Sequence, residues 1–234
     1  MNAATPEISV VIPVYNESGN IRPLVEEIQA ALSDLASYET VIVDDASTDD
    51  TGMELADLVR KHDDVRVETH DDNLGQSAAI CTGVKAARAP IIAVLDGDGQ
   101  NDPADILTLY KELNLFDDVL MVVGERRRRR DHWIRLLSSR IANSVRSRLL
   151  KDGVRDTGCG LKVFYRNDFL DLPAFDHMHR FLPALIQRKG GEIRSVPVNH
   201  RRRQHGVSKY GINNRLWVGI VDLLGVMWLK RRRM

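Results

Sequence analysis

Long apolar runs are missing from this 234-residue chain. The most apolar late stretch, LWVGIVDLLGVMWL (216–229), is 14 residues long and contains Asp222. A bilayer-crossing helix needs roughly 20 apolar residues, so no membrane span is expected there. The opening MNAATPEIS has no basic start followed by an apolar core, and no secretory leader is expected. Cysteine is scarce as well. Cys81 and Cys159 stand far apart without CxxC spacing, which excludes a disulfide framework or a zinc-ligand pattern and makes both structural. A reduced, cytosolic setting is the default for such a chain. Internal repeats are absent, and 234 residues suffice for one large domain with a well-buried core.

Net charge is also missing, since Lys plus Arg and Asp plus Glu each number 33. The distribution is uneven all the same. Residues 1–120 carry 7 basic and 24 acidic side chains, a net −17, while residues 121–234 carry 26 basic and 9 acidic, a net +17. Such halves point either to a polyanionic partner on one side or to two faces that attract each other.

What the first half does contain is alternation. ISVVIPVY, ETVIVDD, VRVETH, PIIAVLD and VLMVVGE read as strands. Between them lie amphipathic helical stretches, the first with Leu24, Ile28, Ala31, Leu32 and Leu35 on one face. Ser47 or Thr48 could cap the second helix, and Pro103 suits the first turn of the helix in DPADILTLYKEL. Continuous apolar strands alternating with helices predict an α/β fold with a mostly parallel sheet covered on both faces. Ligands of such sheets gather outside the carboxyl ends of the strands. The polar clusters YNE, DDAST and DGDGQ all fall there, so that rim is the expected site.

The stretch VLDGDGQNDP sets Asp96, Asp98 and Asp102 close together straight after a strand. Like charges at this spacing need either water or a cation. Asp96, Asp98 and Gln100 offer hard oxygen donors at alternating positions, which suits Mg²⁺ or Mn²⁺. An EF-hand is excluded, because the loop lacks glycine at its sixth position and carries Leu107 at its twelfth. A haloacid-dehalogenase phosphatase would normally have Thr or Val where Gln100 stands.

Taken in order, SVVIPVYNE, VIVDDASTDDT, NLGQSAA and IIAVLDGDGQNDP resemble the signature of glycosyltransferase family 2, with the GT-A fold. The resemblance extends from residue 8 to about 215. It implies that Pro13, Tyr15, Glu17 and Asp45 hold the nucleotide of a sugar donor. It also implies that Asp96, Asp98 and Gln100 hold the metal bridging the donor diphosphate. The competing reading makes Tyr15 a packed ring and Glu17 a helix-start charge. In the second half, GER…RLLSSRIAN, DTGCGLKVFYR and RQHGVSKYG resemble the dolichol- or polyprenyl-phosphate sugar synthases. That likeness assigns Arg126, Arg135 and Ser139 to the phosphate of a lipid acceptor, and Arg203 with Lys209 to the donor diphosphate. Family members acting on sugar hydroxyls usually present a Glu-Asp pair near residues 156–160, where this chain has DTGCG. A phosphate monoester is already anionic at neutral pH and needs no base.

The helical stretch IRLLSSRIANSVRSRLL places Ile134, Leu137, Ile141, Val145 and Leu149 on one side, with Arg135, Arg140, Arg146 and Arg148 among its polar positions. GLKVFY and IRSVPVNH read as further strands, with a helix over HMHRFLPALIQRKG between them. The arginine run 126–130 lacks interleaved aromatics, so nucleic acid is not the expected partner. It is a solvated loop or a contact for anionic lipid. The tail, with Trp217, Trp228 and Arg231 to Arg233, suits a helix lying in a membrane interface, or else a core helix that closes the domain.

The expected organisation is one GT-A domain over 1–215, its nucleotide-sugar half 1–120 and its acceptor half 121–215, followed by an amphipathic interface tail at 216–234. The expected activity is inverting transfer of a sugar from a GDP- or UDP-linked donor to polyprenyl phosphate, at the cytoplasmic face of an anionic membrane. A family 2 enzyme acting on a glycan hydroxyl, with a base such as Asp156, is one rival. A non-catalytic nucleotide-sugar-binding protein at the membrane surface is the other.

Overall fold

The computed structural model of the chain describes residues 5–35, 37–126, 146–203 and 215–232. Five strands of the first half are β1 (Ile8–Val14), β2 (Tyr38–Asp44), β3 (Val65–Thr69), β4 (Ile91–Val94) and β5 (Val119–Arg126). Helices α1 (Ile21–Leu32), α2 (Thr51–Lys61), α3 (Gln76–Ala86) and α4 (Asp105–Asn114) connect them. The second half supplies β6 (Lys162–Tyr165), α5 (Arg166–Leu170), a 3₁₀ turn at Met178–Arg180, α6 (Leu182–Gln187), β7 (Glu192–Val198) and α7 (Arg215–Arg231). The strands form one sheet in the order β3-β2-β1-β4-β6-β5-β7. Only β6 runs against its neighbours. This is the mostly parallel α/β architecture that the alternating pattern predicts.

Period-two alternation along β1 explains the two-sided core. Ile8, Val10, Ile12 and Val14 enter a cluster with α1, α2 and α4, while Val11 enters the opposite cluster with α3 and α6. Helix α1 buries Ile21, Leu24, Val25, Ile28 and Leu32, the stripe its sequence spacing announces.

Three local expectations need correction. Helix α2 begins at Thr51 with no side-chain cap. Ser47 and Thr48 turn instead to Asn16: the Asn16 N–H donates to Ser47 Oγ (2.8 Å), and the Thr48 N–H donates to Asn16 Oδ1 (2.7 Å). The helix expected over residues 177–190 is a 3₁₀ turn and a short helix, divided at Phe181 with Pro183 in the new first turn, where proline's missing N–H does no harm. At the end of the 133–150 stretch the faces are exchanged. Arg146 is buried in an ion pair with Asp152 and donates to the Val154 carbonyl (2.8 Å), while Leu149 is exposed. A buried carboxylate in the following turn overrides the periodicity there.

Helix α7 packs one side on the core, as the core-helix reading of the tail expects, and leaves another side exposed. Val226 is fully buried, and Leu223, Met227 and Leu229 pack on the core. Ile220, Val221, Leu224 and Trp228 remain exposed, with the Arg232 guanidinium 5.6 Å from the centre of the Trp228 ring. No helix among the described residues is long and apolar enough to cross a membrane.

One tight seam in the fold is at Gly83, where α3 crosses β1 and β2. A β-carbon there would lie 2.4 Å from Val11 Cγ1 and 3.1 Å from Val43 Cγ2. Helix propensity favours Gly83→Ala by about 1 kcal/mol, but overpacking costs about 1–3 kcal/mol. The buried valines are stiff at χ1, so overpacking should win. Urea denaturation should find the Ala variant less stable by about 1 kcal/mol; a gain in stability would contradict this account of the seam.

Candidate active site

Strand direction brings the polar segments together. Strands β1, β2, β3, β4, β5 and β7 all point the same way, so the residues after them emerge on one edge. Strand β6 runs the other way, pairing Val94 with Lys162, so the DTGCG segment before it reaches that same edge. Between β1 and β4 the strand order reverses, which is where open α/β sheets bind ligands. The rim expected from the sequence therefore exists, and the second half completes it.

Asp96 and Asp98 emerge from β4, both half-buried. Gly97 between them backs onto β1, where a β-carbon would lie 2.7 Å from Val14 Cγ1. Asp96 is gripped closely. Gln76 Nε2 donates to its Oδ1 at 2.8 Å, and Gly160 lies flat against it, so that a β-carbon on Gly160 would sit 2.0 Å from Asp96 Oδ2. Burial pushes the Asp96 carboxyl up, opposed by the charges of Lys162 and Arg126. Asp98 is pushed up to about 6, first by burial and next by the charge of Asp96. Asp102 is not part of this pair. Its carboxylate meets Arg201 at 2.7 Å and accepts the Ala104 N–H at 3.1 Å. The backbone N–H of Gln100 donates to Asp98 Oδ1 (3.1 Å), and the Gln100 side-chain nitrogen donates to the Arg201 carbonyl (3.4 Å).

On the β1 and β2 side, Glu17 stands at the rim and pairs with Arg203. Both charges act on Asp98, so the sequence-predicted Glu17, Asp96, Asp98 and Arg203 are brought together. Pro13 and Tyr15 lie half-buried in the β1 end of the same rim. The β1 loop is stitched to the α2 start: the Glu17 N–H donates to Thr51 Oγ1 (3.0 Å), and the Gly19 and Arg22 N–H groups donate to Glu54 (2.9 and 2.8 Å). Asp45 is buried, and its carboxylate accepts the N–H groups of Leu74 (2.9 Å) and Gly75 (2.8 Å) and meets His70 Nδ1 (2.8 Å). In this state it organises the loop beside the rim.

The basic residues come from the second half. Arg126, at the end of β5, grips Asp156 with a two-pronged fork, Nε to Oδ2 and NH2 to Oδ1, each 2.7 Å. Lys162 is buried, donates to the Cys159 carbonyl and is pushed down by that burial, while Asp96 and Asp156 oppose the shift. Arg135, Ser139 and Lys209 lie outside the described residues. Sequence reasoning passed over Gln76, Gly160, Lys162 and Arg201. Gly160 and Lys162 stand in the quoted DTGCGLK motif, yet only the antiparallel pairing of β6 with β4 reveals what they touch.

Among the described residues no group of three or more His, Cys, Asp or Glu side chains forms a metal cage. Two neighbouring carboxylates still fit a hard divalent cation of the Mg²⁺ type, which keeps waters and takes further oxygens from substrate phosphates. The upward push on Asp98 comes partly from an uncompensated like charge, which a cation would relieve.

Comparison with known proteins gives the family and the fold. A sequence profile described as "Glycosyl transferase family 2" matches residues 9–172. A dodecaprenyl-phosphate galacturonate synthase of Rhizobium johnstonii is 37% identical over 96% of this chain and 68% of its own length. An undecaprenyl-phosphate 4-deoxy-4-formamido-L-arabinose transferase of Edwardsiella ictaluri is 33% identical over 88% of this chain, which spans 63% of that relative. The fold is shared with glucosyl-3-phosphoglycerate synthase of Mycobacterium tuberculosis, solved with Mn²⁺, UDP-glucose and phosphoglyceric acid. That match has a TM-score of 0.74 and 21% identity, covering 96% of this chain and 81% of that one.

The electrostatics of Asp98 lead to a pH test. With no ion bound, Asp98 ionises near pH 6 in the folded chain against 3.8 ordinarily. The folded state holds that proton more tightly, so its stabilisation is full below about pH 4 and is lost as pH rises through about 6. The thermal midpoint of chelator-treated protein should therefore fall over that interval relative to an Asp98→Asn variant. Added Mn²⁺ should raise the wild-type midpoint more at about pH 7 than at about pH 5, since proton and ion compete. An equal Mn²⁺ effect at both values would overturn the assignment.

Proposed function

The chain belongs to glycosyl transferase family 2, and from that premise we propose that it transfers a sugar from a nucleotide donor to a polyprenyl phosphate in envelope biosynthesis. The names of the similar transferases support the acceptor class. The observation that carries the reading is the fate of Asp156. It is the carboxylate that the rival reading takes as a hydroxyl-activating base, and both its oxygens are held by Arg126. A carboxylate in a guanidinium fork is a poor proton acceptor, because the cation stabilises its ionised form. A hydroxyl acceptor would lack its base; a phosphate acceptor needs none.

The reaction is a single in-line displacement. An oxygen of the lipid phosphate attacks the anomeric carbon, the bond from that carbon to the donor diphosphate breaks, and the configuration inverts. Glu17, Tyr15, Pro13 and the Asp45-organised wall border the nucleotide, while Arg203 and Lys209 address the diphosphate. Asp96 and Asp98, with Gln100 beside them, would hold Mg²⁺ or Mn²⁺, which would supply positive charge against that growing on the departing diphosphate. Arg126, Arg135 and Ser139 serve the lipid phosphate, Arg126 from its place in the fork with Asp156.

The deciding assay incubates the purified chain with Mn²⁺, undecaprenyl phosphate and labelled UDP- or GDP-sugars, then extracts product into organic solvent. Lipid-linked product should form with at least one donor, and Asp98→Ala should abolish it. Near-normal turnover by Asp98→Ala would refute the metal assignment. Product formed only on water-soluble sugar acceptors would favour the hydroxyl reading.

The acceptor also requires a lipid surface. The outward side of α7 offers Ile220, Val221, Leu224 and Trp228, followed by exposed Arg231 and Arg232. Deleting the tail would strip Val226 from the core, so point changes are the better probe. The chain should float with anionic liposomes at low salt and release in part at 1 M, where the Debye length is about 3 Å. Val221→Asp combined with Leu224→Asp should weaken flotation without changing the thermal midpoint. A wild-type chain that stays wholly in solution beside such liposomes would sink the interfacial reading.

A further inference from the structure

Asp45 and Asp96 follow two different strands, β2 and β4, yet one short segment touches both. Asp45 and His70 are 5% and 10% exposed at their side chains. His70 Nδ1 meets Asp45 Oδ1 and His70 Nε2 meets Thr82 Oγ1 on α3, each at 2.8 Å. The His70 N–H donates to the Asp44 carbonyl (2.9 Å), and Asn73 Nδ2 donates to the Asp45 carbonyl (3.1 Å). With the Leu74 and Gly75 N–H groups also on the Asp45 carboxylate, the loop from His70 to Gly75 hangs from one buried acid. The next residue, Gln76, opens α3 and donates to Asp96 Oδ1.

We propose that Gln76 is a positioning residue for Asp96, itself set by the Asp45–His70 clamp, so that one rigid segment aligns the nucleotide wall with the metal-holding carboxylate. This rests on reading Asp96 and Asp98 as the metal site. Geometry leaves the carboxylate of Asp96 little other guidance: its Oδ2 side is closed by Gly160, so the donor on Oδ1 sets the rotation. The chemistry of that donor matters too. A primary amide orients a carboxylate without adding charge, whereas Lys or Arg at the same point would compete with a cation. His70 contributes through the loop, holding Asp45 from one ring nitrogen and α3 from the other.

The test measures Mn²⁺ binding to the full chain from the electron paramagnetic resonance signal of free Mn²⁺, alone and with UDP or GDP. Gln76→Met keeps the length of the side chain and removes the donor. It should weaken Mn²⁺ about tenfold, the scale of one hydrogen bond to a charged group. The apparent KM for Mn²⁺ should rise in step, while the donor KM at saturating Mn²⁺ stays within about twofold. Gln76→Glu would place a second anion beside Asp96 and should not restore the wild-type KM for Mn²⁺. His70→Gln should also weaken Mn²⁺, by about threefold or more, although His70 contacts neither Asp96 nor Asp98 in the hydrogen-bond network. Asp98→Ala is the control. If it binds Mn²⁺ as the wild type does, the metal-site reading itself fails. If it loses Mn²⁺ while a folded Gln76→Met keeps wild-type affinity, Gln76 positions nothing and the inference is overturned. Should His70→Gln not fold, the Gln76→Met result decides alone.

Discussion

Two carboxylates placed side by side in a half-buried rim repel each other, and most of the surrounding structure answers that repulsion. Asp96 is held by a neutral amide, by a backbone without a side chain at Gly160, and by the field of a buried ammonium on Lys162. Asp98 accepts the Gln100 N–H and feels the charge of Arg203, yet burial and the charge of Asp96 push it up as well. Full neutralisation by an arginine in direct contact would make the pair comfortable and useless for a cation. The chain keeps its arginines one step back instead, with Arg126 on Asp156 and Arg203 on Glu17. The arrangement thus preserves a deficit of positive charge at the place where an ion and two phosphates would supply or share it.

That arrangement depends on one reversed strand. A sheet with seven parallel strands would present at the rim only the residues on the carboxyl side of each strand. Because β6 is antiparallel, the residues before it arrive there, and they include Asp156, Cys159 and Gly160. Lys162 then brings its charge to bear on Asp96 as β6 begins. Rigidity comes from cross-stitching between loops. Asn16 and Ala46 both adopt left-handed backbone, with φ of 51° and 61°, at a cost of about 1–2 kcal/mol each. Hydrogen bonds from the Asn16 N–H to Ser47, from the Thr48 N–H to the Asn16 side chain and from the Glu17 N–H to Thr51 hold the strained turns in place. A rim fixed before substrate arrives avoids ordering it later.

Much of this was legible in the sequence, for identifiable reasons. Strand ends are local features, so YNE, DDAST and DGDGQ could be placed on one edge once a parallel sheet was expected. The reversal of β6 was not legible, because GLKVFY reads alike in either direction. Its consequences, Gly160 against Asp96 and Lys162 behind it, emerged only from strand pairing. Arg146 and Leu149 were assigned to the wrong faces because periodicity knows nothing of Asp152, six residues beyond the arginine. Ser47 and Thr48 had the right chemistry for a helix cap, but Asn16, some thirty residues earlier, competes for them. In each case a long-range polar partner outweighed a local preference.

The opposed charges of the two halves take on a different meaning in the folded chain. Arg194 pairs with Glu112, Arg201 with Glu27 and Asp102, and Arg203 with Glu17, each a basic residue of the second half on an acid of the first. These pairs tie β7 and the segment after it across α1, α4 and the β1 loop. Part of the asymmetry is therefore internal and serves to close the rim, which weakens any inference from raw charge counts to a polyanionic partner. The basic residues available to such a partner include the exposed Arg231 and Arg232 at the end of α7, beside the outward apolar stripe. A lipid surface draws on both features at once, apolar burial for depth and guanidinium charge for attraction. The same division of labour would bring the acceptor's phosphate to a rim whose own arginines are already aligned by acids, Arg126 by Asp156 and Arg203 by Glu17.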